Sequence, residues 1–188
     1  MIIYIHGFCG SGQGSKARAF REYFKTQDED FIAPSLSYVP KLVIQTLEEL
    51  IESYDDVKLI GSSLGGFYTM YLANKYNLKA VLINPSIYPY KTLKNYIGKV
   101  PNFYDDSSFE WNETHVNMLE EYKTEKLNQK NFMLLAQKGD ELLDFHEAVE
   151  KLPNSFLHVE EGGNHGFDGI ERYFVGIKEF FNTTKVKK

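Results

Sequence analysis

The 188-residue chain is near the size of one domain, and its 43% hydrophobic and 25% charged residues match the soluble globular average, which excludes disordered and fibrous architectures. A formal net charge of -5 disfavours a phosphate-binding surface, so nucleic acid is not an expected partner. The single cysteine, Cys9, excludes an internal disulfide and a Cys-based zinc cage, and fits a reducing compartment.

The first predicted element is the strand Ile2 to Ile5, which leaves no room ahead of it for the charged and apolar regions of a cleaved signal. No apolar run approaches the roughly 18 residues that span a bilayer. The expectation is a cytoplasmic chain without a membrane span. A helix follows over Lys16 to Phe24, then a weaker strand at Phe31-Ile32-Ala33 before Pro34. The next helix, Val39 to Tyr54, carries Leu42, Leu47, Leu50 and Ile51 on one face and Glu48, Glu49 and Glu52 on the other. A strand at Val57 to Ile60, a helix at Leu64 to Tyr76 and a strand at Ala80 to Ile83 complete the first half. From Pro85 to about Lys130 the rhythm stops: the segment is rich in Tyr, Phe and Trp and has no convincing strand. It reads as a cap inserted over 86–130, with short helices near Lys91 to Ile97 and Asn112 to Lys123, inside one domain spanning 1–188. Strands at Phe132 to Ala136 and Phe156 to Val159 then alternate with helices at Asp144 to Lys151 and Phe167 to Phe181. The basic cluster Lys185, Lys187 and Lys188 reads as a solvated tail. This alternation of strand and helix is the pattern of an α/β, three-layer sandwich: a mostly parallel sheet with helices on both faces and a small helical cap.

The chemistry-bearing motif is Gly61-Ser62-Ser63-Leu64-Gly65, a G-x-S-x-G that follows a strand and opens a helix. That context is a nucleophile elbow, a turn so tight that its flanks carry almost no side chain and the serine oxygen stands above the sheet edge. An inert tight turn would give the same pattern, so Ser63 needs partners: a base, and a carboxylate that orients it. Asp140, past the strand ending at Ala136, and His165, in Glu161-Gly162-Gly163-Asn164-His165-Gly166, stand in the required chain order. Asp144 competes with Asp140 but suits a helix cap, and Glu141 suits solvent. His6, His115, His146 and His158 fall in structural settings. The oxyanion donors expected for this site are the backbone N–H groups of Leu64 and Phe8. Gly10, Gly12 and Gly14 suggest a phosphate-binding loop, but neither the Walker A nor the dinucleotide pattern is met, since Gly14-Ser15-Lys16 replaces the required ending. Among the cap aromatics Tyr88, Tyr90, Tyr96, Phe103, Tyr104, Phe109 and Trp111, Tyr88 and Trp111 are candidate substrate contacts, against the alternative that they pack the cap onto the core.

His6-Gly7-Phe8, Gly61 to Gly66, Asn84-Pro85, Gly139-Asp140-Glu141 before Leu143-Asp144, and Glu161 to His165 with Phe167 together resemble the small bacterial YqiA-like esterases of the α/β-hydrolase superfamily. The resemblance spans nearly the whole chain. It implies an α/β-hydrolase fold and a serine esterase or thioesterase with Ser63 as nucleophile, Asp140 as acid and His165 as base. It also implies activity on small-molecule esters or acyl thioesters such as acyl-CoA, with no cofactor and no metal. The first loop departs from the family, having Cys9-Gly10-Ser11-Gly12-Gln13 where serines and a proline are usual. Two other readings stand beside the hydrolase: a catalytically silent hydrolase fold used as a binding or scaffold protein, and a nucleotide-binding protein using the Gly10 to Gly14 loop.

Overall fold

A computed structural model describes residues 1–183, so Lys185, Lys187 and Lys188 lie outside the described residues. The first half contains β1 (Ile2–Ile5), α1 (Ser15–Thr26), β2 (Phe31–Ile32), α2 (Pro40–Ser53), β3 (Lys58–Ser62), α3 (Leu64–Tyr76) and β4 (Ala80–Ile83). Next come α4 (Pro89–Thr92), β5 (Gly98–Pro101), β6 (Ser108–Trp111) and α5 (Glu113–Glu120). The chain closes with β7 (Phe132–Gln137), α6 (Phe145–Lys151), β8 (Phe156–Glu160) and α7 (Phe174–Asn182).

Six parallel strands form one sheet in the order β2-β1-β3-β4-β7-β8. The order reverses between β1 and β3, which opens a crevice at the carboxyl ends of those two strands. Register keeps these ends level, with Ile5 opposite Gly61 and Ser62 opposite Ile83. Side chains alternate across the sheet with the strand period of two. Ile3, Ile5, Leu59, Leu82 and Leu134 pack with α2 and α3, whereas Ile2, Tyr4, Ile60, Val81 and Leu135 pack with Phe20 and Phe24 of α1 and Phe174 and Ile177 of α7. Helices therefore cover both faces, giving the three-layer arrangement expected from the alternation.

Three local expectations need correction. The interval between β4 and β7 is not purely helical, because β5 and β6 form an antiparallel hairpin pairing Gly98 with Trp111 and Pro101 with Ser108. Its turn is closed by short polar side chains, Asn102 and Asp105 accepting from the amides of Tyr104 and Ser107. In α2 the buried face is Val43, Ile44, Leu47 and Ile51, while Leu42 is 49% exposed, so the helix is rotated from the leucine-centred reading. The last helix does not begin at Phe167: Gly169 takes a left-handed conformation and a tight turn over Ile170–Tyr173 precedes α7.

Candidate functional site

Ser63 sits between the last residue of β3 and the first of α3 with φ 56 and ψ -124, a conformation that costs a non-glycine residue about 1–3 kcal/mol. Its backbone is pinned in place. Ser63 N donates to the Ile83 carbonyl at 3.1 Å, and its own carbonyl accepts from Gly66 N at 2.9 Å and Ser86 N at 3.0 Å. The flanking glycines are steric necessities, because a Cβ at Gly65 would lie 2.0 Å from the Ile5 carbonyl oxygen and one at Gly61 2.1 Å from Thr69 Oγ1. Only glycine lets α3 start directly against β1.

The loops after β7 and β8 bring two distant residues to the serine. His165 Nε2 lies 3.0 Å from Ser63 Oγ, and His165 Nδ1 lies 3.0 and 2.9 Å from the two Asp140 oxygens. The Asp140 side chain is 3% exposed and that of His165 21%. Burial pushes the Asp140 carboxyl up, but hydrogen bonds from His165 and from the amides of Leu142 and Leu143 outweigh it and hold the group below the usual carboxylate value. An ionised Asp140 fixes the proton of His165 on Nδ1, which leaves the Nε2 lone pair facing the serine hydroxyl. Asp144 caps α6 by accepting from His146 N. Glu141, expected to face solvent, is exposed but also accepts from His165 N at 2.9 Å.

Two residues without a role in the sequence reading hold the histidine loop. Buried Asn84, at φ 39 just past β4, donates through Nδ2 to the carbonyls of Asn164 (2.9 Å) and His165 (3.2 Å) and accepts from Gln137 N (2.9 Å). Gln137, the last residue of β7, accepts from the amides of Asn164 and Asp168 and donates to Glu160 and the Asp168 carbonyl. The Asn84-Pro85 dipeptide was visible in sequence, but its partners are 53 to 81 residues away. Replacing Asn84 with alanine strands three backbone groups, and the expected cost is about 1–3 kcal/mol of stability. If His165 serves as the base, displacement of its loop lowers kcat by about 100-fold as well. Thermal melting and steady-state kinetics of Asn84→Ala check both values.

His6, read from sequence as structural, governs the first loop. Its Nδ1 donates to the Gly7 carbonyl at 2.8 Å and its Nε2 accepts from Leu36 N at 3.0 Å, an arrangement that requires the neutral ring. Burial holds His6 below the ordinary histidine value and favours that form. In a trans peptide the carbonyl and the next N–H point opposite ways, so anchoring the Gly7 oxygen also directs the Phe8 N–H. The loop lies against the serine, since a Cβ at Gly7 would be 3.0 Å from Ser63 Cβ. Neither the Phe8 nor the Leu64 amide donates to a protein acceptor among the described residues.

A cavity of about 450 Å³ opens from Ser63 and His165 toward the segment after β4 and is lined mainly by apolar groups, including Phe8, Leu64, Leu93, Val100 and Phe103. Cys9 also lines it, its thiol pushed up to about 11 by burial. The two aromatics singled out as substrate contacts are not on this wall. Trp111 is fully buried, donates from Nε1 to the Leu93 carbonyl at 3.0 Å and packs edge-on against the Phe8 ring 4.9 Å away. Tyr88 is half-buried beneath the Lys91 ammonium, 4.6 Å from its ring centre. Tyr96 and Phe103 supply the aromatic lining instead. Gly12 of the glycine-rich loop has a packing role, because a Cβ there would meet the Ala33 carbonyl oxygen at 2.0 Å. Among the described residues no group of three or more His, Cys, Asp or Glu side chains is placed to hold a metal ion, and no helix is long and apolar enough to cross a membrane.

Solved structures share the architecture. A ferulic-acid complex of Est1E from Butyrivibrio proteoclasticus superposes with a TM-score of 0.69 at 14% identity, covering 95% of this chain and 86% of that one. Mouse alpha/beta hydrolase domain-containing protein 10 gives 0.74 at 17% identity over 96% and 89%. A monoacylglycerol lipase of Paleococcus ferrophilus gives 0.70 at 14% identity over 96% and 93%. These likenesses establish the α/β-hydrolase fold. In sequence, a UPF0227 protein of Vibrio parahaemolyticus is 26% identical over 97% of this chain and all of its own length, and one of Pectobacterium atrosepticum is 25% identical over 96% and 98%. The model of the uncharacterised protein family UPF0227 matches residues 1–182, and the chain therefore belongs to that family.

Proposed function

We propose that the chain is a serine hydrolase that cleaves a small carboxylic ester or thioester through an acyl-enzyme on Ser63. The observation that carries this reading is the continuous hydrogen-bonded line from Ser63 Oγ through His165 to Asp140, with 3.0 Å at the first contact and 2.9 Å at the second. A serine hydroxyl is a weak nucleophile at neutral pH and needs such a base. In the first step His165 takes the hydroxyl proton as Ser63 Oγ bonds to the carbonyl carbon, and the same proton passes to the alcohol or thiol as its bond to carbon breaks. In the second step water loses a proton to His165, attacks the acyl carbon, and the carboxylic acid leaves as Oγ is reprotonated. The N–H groups of Phe8 and Leu64 stabilise the oxyanion of each tetrahedral intermediate. Residues 86–130 act as a cap within one domain, and the apolar cavity beneath it takes the acyl chain. No step requires a cofactor.

An active-site phosphonylating probe followed by mass mapping tests this reading. One adduct on Ser63 is expected, absent in Ser63→Ala and strongly reduced in His165→Ala. A wild-type protein that takes up no adduct would instead favour a catalytically silent fold serving as a scaffold.

A further inference from the structure

The segment from Gly10 to Lys16 is the one sequence motif that the reaction above leaves unused. It borders a second cavity, of about 210 Å³, which shares Phe8, Ser63 and His165 with the apolar one but extends away from the cap. Its other walls include Ser11, Ser15, Lys16 and Gly166. The two cavities thus diverge from one reacting centre. An ester has two substituents on its reacting carbonyl, and the mainly apolar cavity, which no Lys or Arg among the described residues lines, suits the hydrocarbon one. The second cavity holds a cation. Lys16 is half-buried, its Nζ donates to the Gly166 carbonyl at 2.6 Å, and no carboxylate lies within ion-pair distance of it among the described residues. An ammonium carries three donors, so two remain for a ligand. Burial lowers the Lys16 ammonium to about 8, with the charge of Asp140 acting against that shift, so an anion arriving in the cavity would find a cation that gains from being paired.

We propose that Lys16 and this cavity form a leaving-group subsite that selects esters or thioesters whose alcohol or thiol part carries a negative charge. The proposal rests on the serine hydrolase reading and makes Lys16 a specificity residue for it. The leaving atom departs beside His165, which lines both cavities and returns the proton to it. The anionic group then pairs with Nζ while the acyl chain lies under the cap.

The test uses two chromogenic esters with the same hexanoyl group, one of para-nitrophenol and one of its ring-carboxylated analogue, assayed at pH 7 where Lys16 is charged. Wild type should favour the carboxylated ester in kcat/KM. In Lys16→Met that preference should fall by about tenfold, the worth of one charge-assisted contact, chiefly through KM, and Lys16→Arg should retain most of it. A wild-type ratio near one overturns the subsite alone. So does an equal loss on both esters in Lys16→Met, which would mean that Lys16 only steadies the His165 loop. Turnover of both esters that persists in Ser63→Ala, or no turnover of either by wild type, overturns the nucleophile assignment and the subsite with it.

Discussion

Ser63→Ala and His165→Ala are each expected to lower kcat by about a million-fold, Asp140→Asn by about ten-thousand-fold, and the Ser63→Ala/His165→Ala double variant by little more than either single change. In the proposed reaction the three side chains act as one device. Without the imidazole the hydroxyl keeps its proton, and without the hydroxyl the imidazole has nothing to activate. Asp140→Asn is milder because the ring stays in place while its tautomer is wrong: an amide that donates to Nδ1 turns the Nε2 proton toward Ser63 Oγ, now 3.0 Å away with no lone pair facing it. Steady-state kinetics on one chromogenic ester measure all four variants. Multiplicative losses in the double variant would mean that Ser63 and His165 serve separate steps.

Trp111→Ala is expected to cost about 3–5 kcal/mol of stability, which for a domain of this size lowers the melting temperature by about 6–20 °C. The side chain is fully buried, so its removal leaves a cavity beneath Phe8 and strands the Leu93 carbonyl. Trp111→Phe refills most of the space but not the donor, and should cost about 1–3 kcal/mol. Thermal melting separates the two. A substrate-contacting tryptophan would behave the other way round, with KM rising in Trp111→Ala and the melting temperature unmoved.

Much of this was legible in the sequence because it is local. The Ala80–Ile83 strand follows from an uninterrupted apolar run, the Leu64–Tyr76 helix from a stretch rich in Phe67, Met70, Tyr71 and Leu72, and the elbow from two glycines that pack where no Cβ fits. The reach of His165 to Ser63 was readable only as chain order, since contact between residues 102 positions apart depends on the sheet. What escaped the reading depends on partners remote in sequence. The β5–β6 hairpin is short and carries Pro101 and Gly98, both poor strand residues, so its pairing gives almost no periodic signal. Trp111 looked like a ligand contact by residue type, yet its one polar atom is spent on a backbone carbonyl. Asn84, Gln137 and His6 act through backbone groups, which sequence does not display.

If Ser63 carries the acyl group between two half-reactions, intact-protein mass spectrometry after rapid acid quench of a slowly turned-over ester detects it there. A transient mass gain equal to one acyl group is expected, mapped to Ser63 and missing in Ser63→Ala. Turnover of that ester with no acylated species at any quench time, or an acyl group found on another residue, would contradict it.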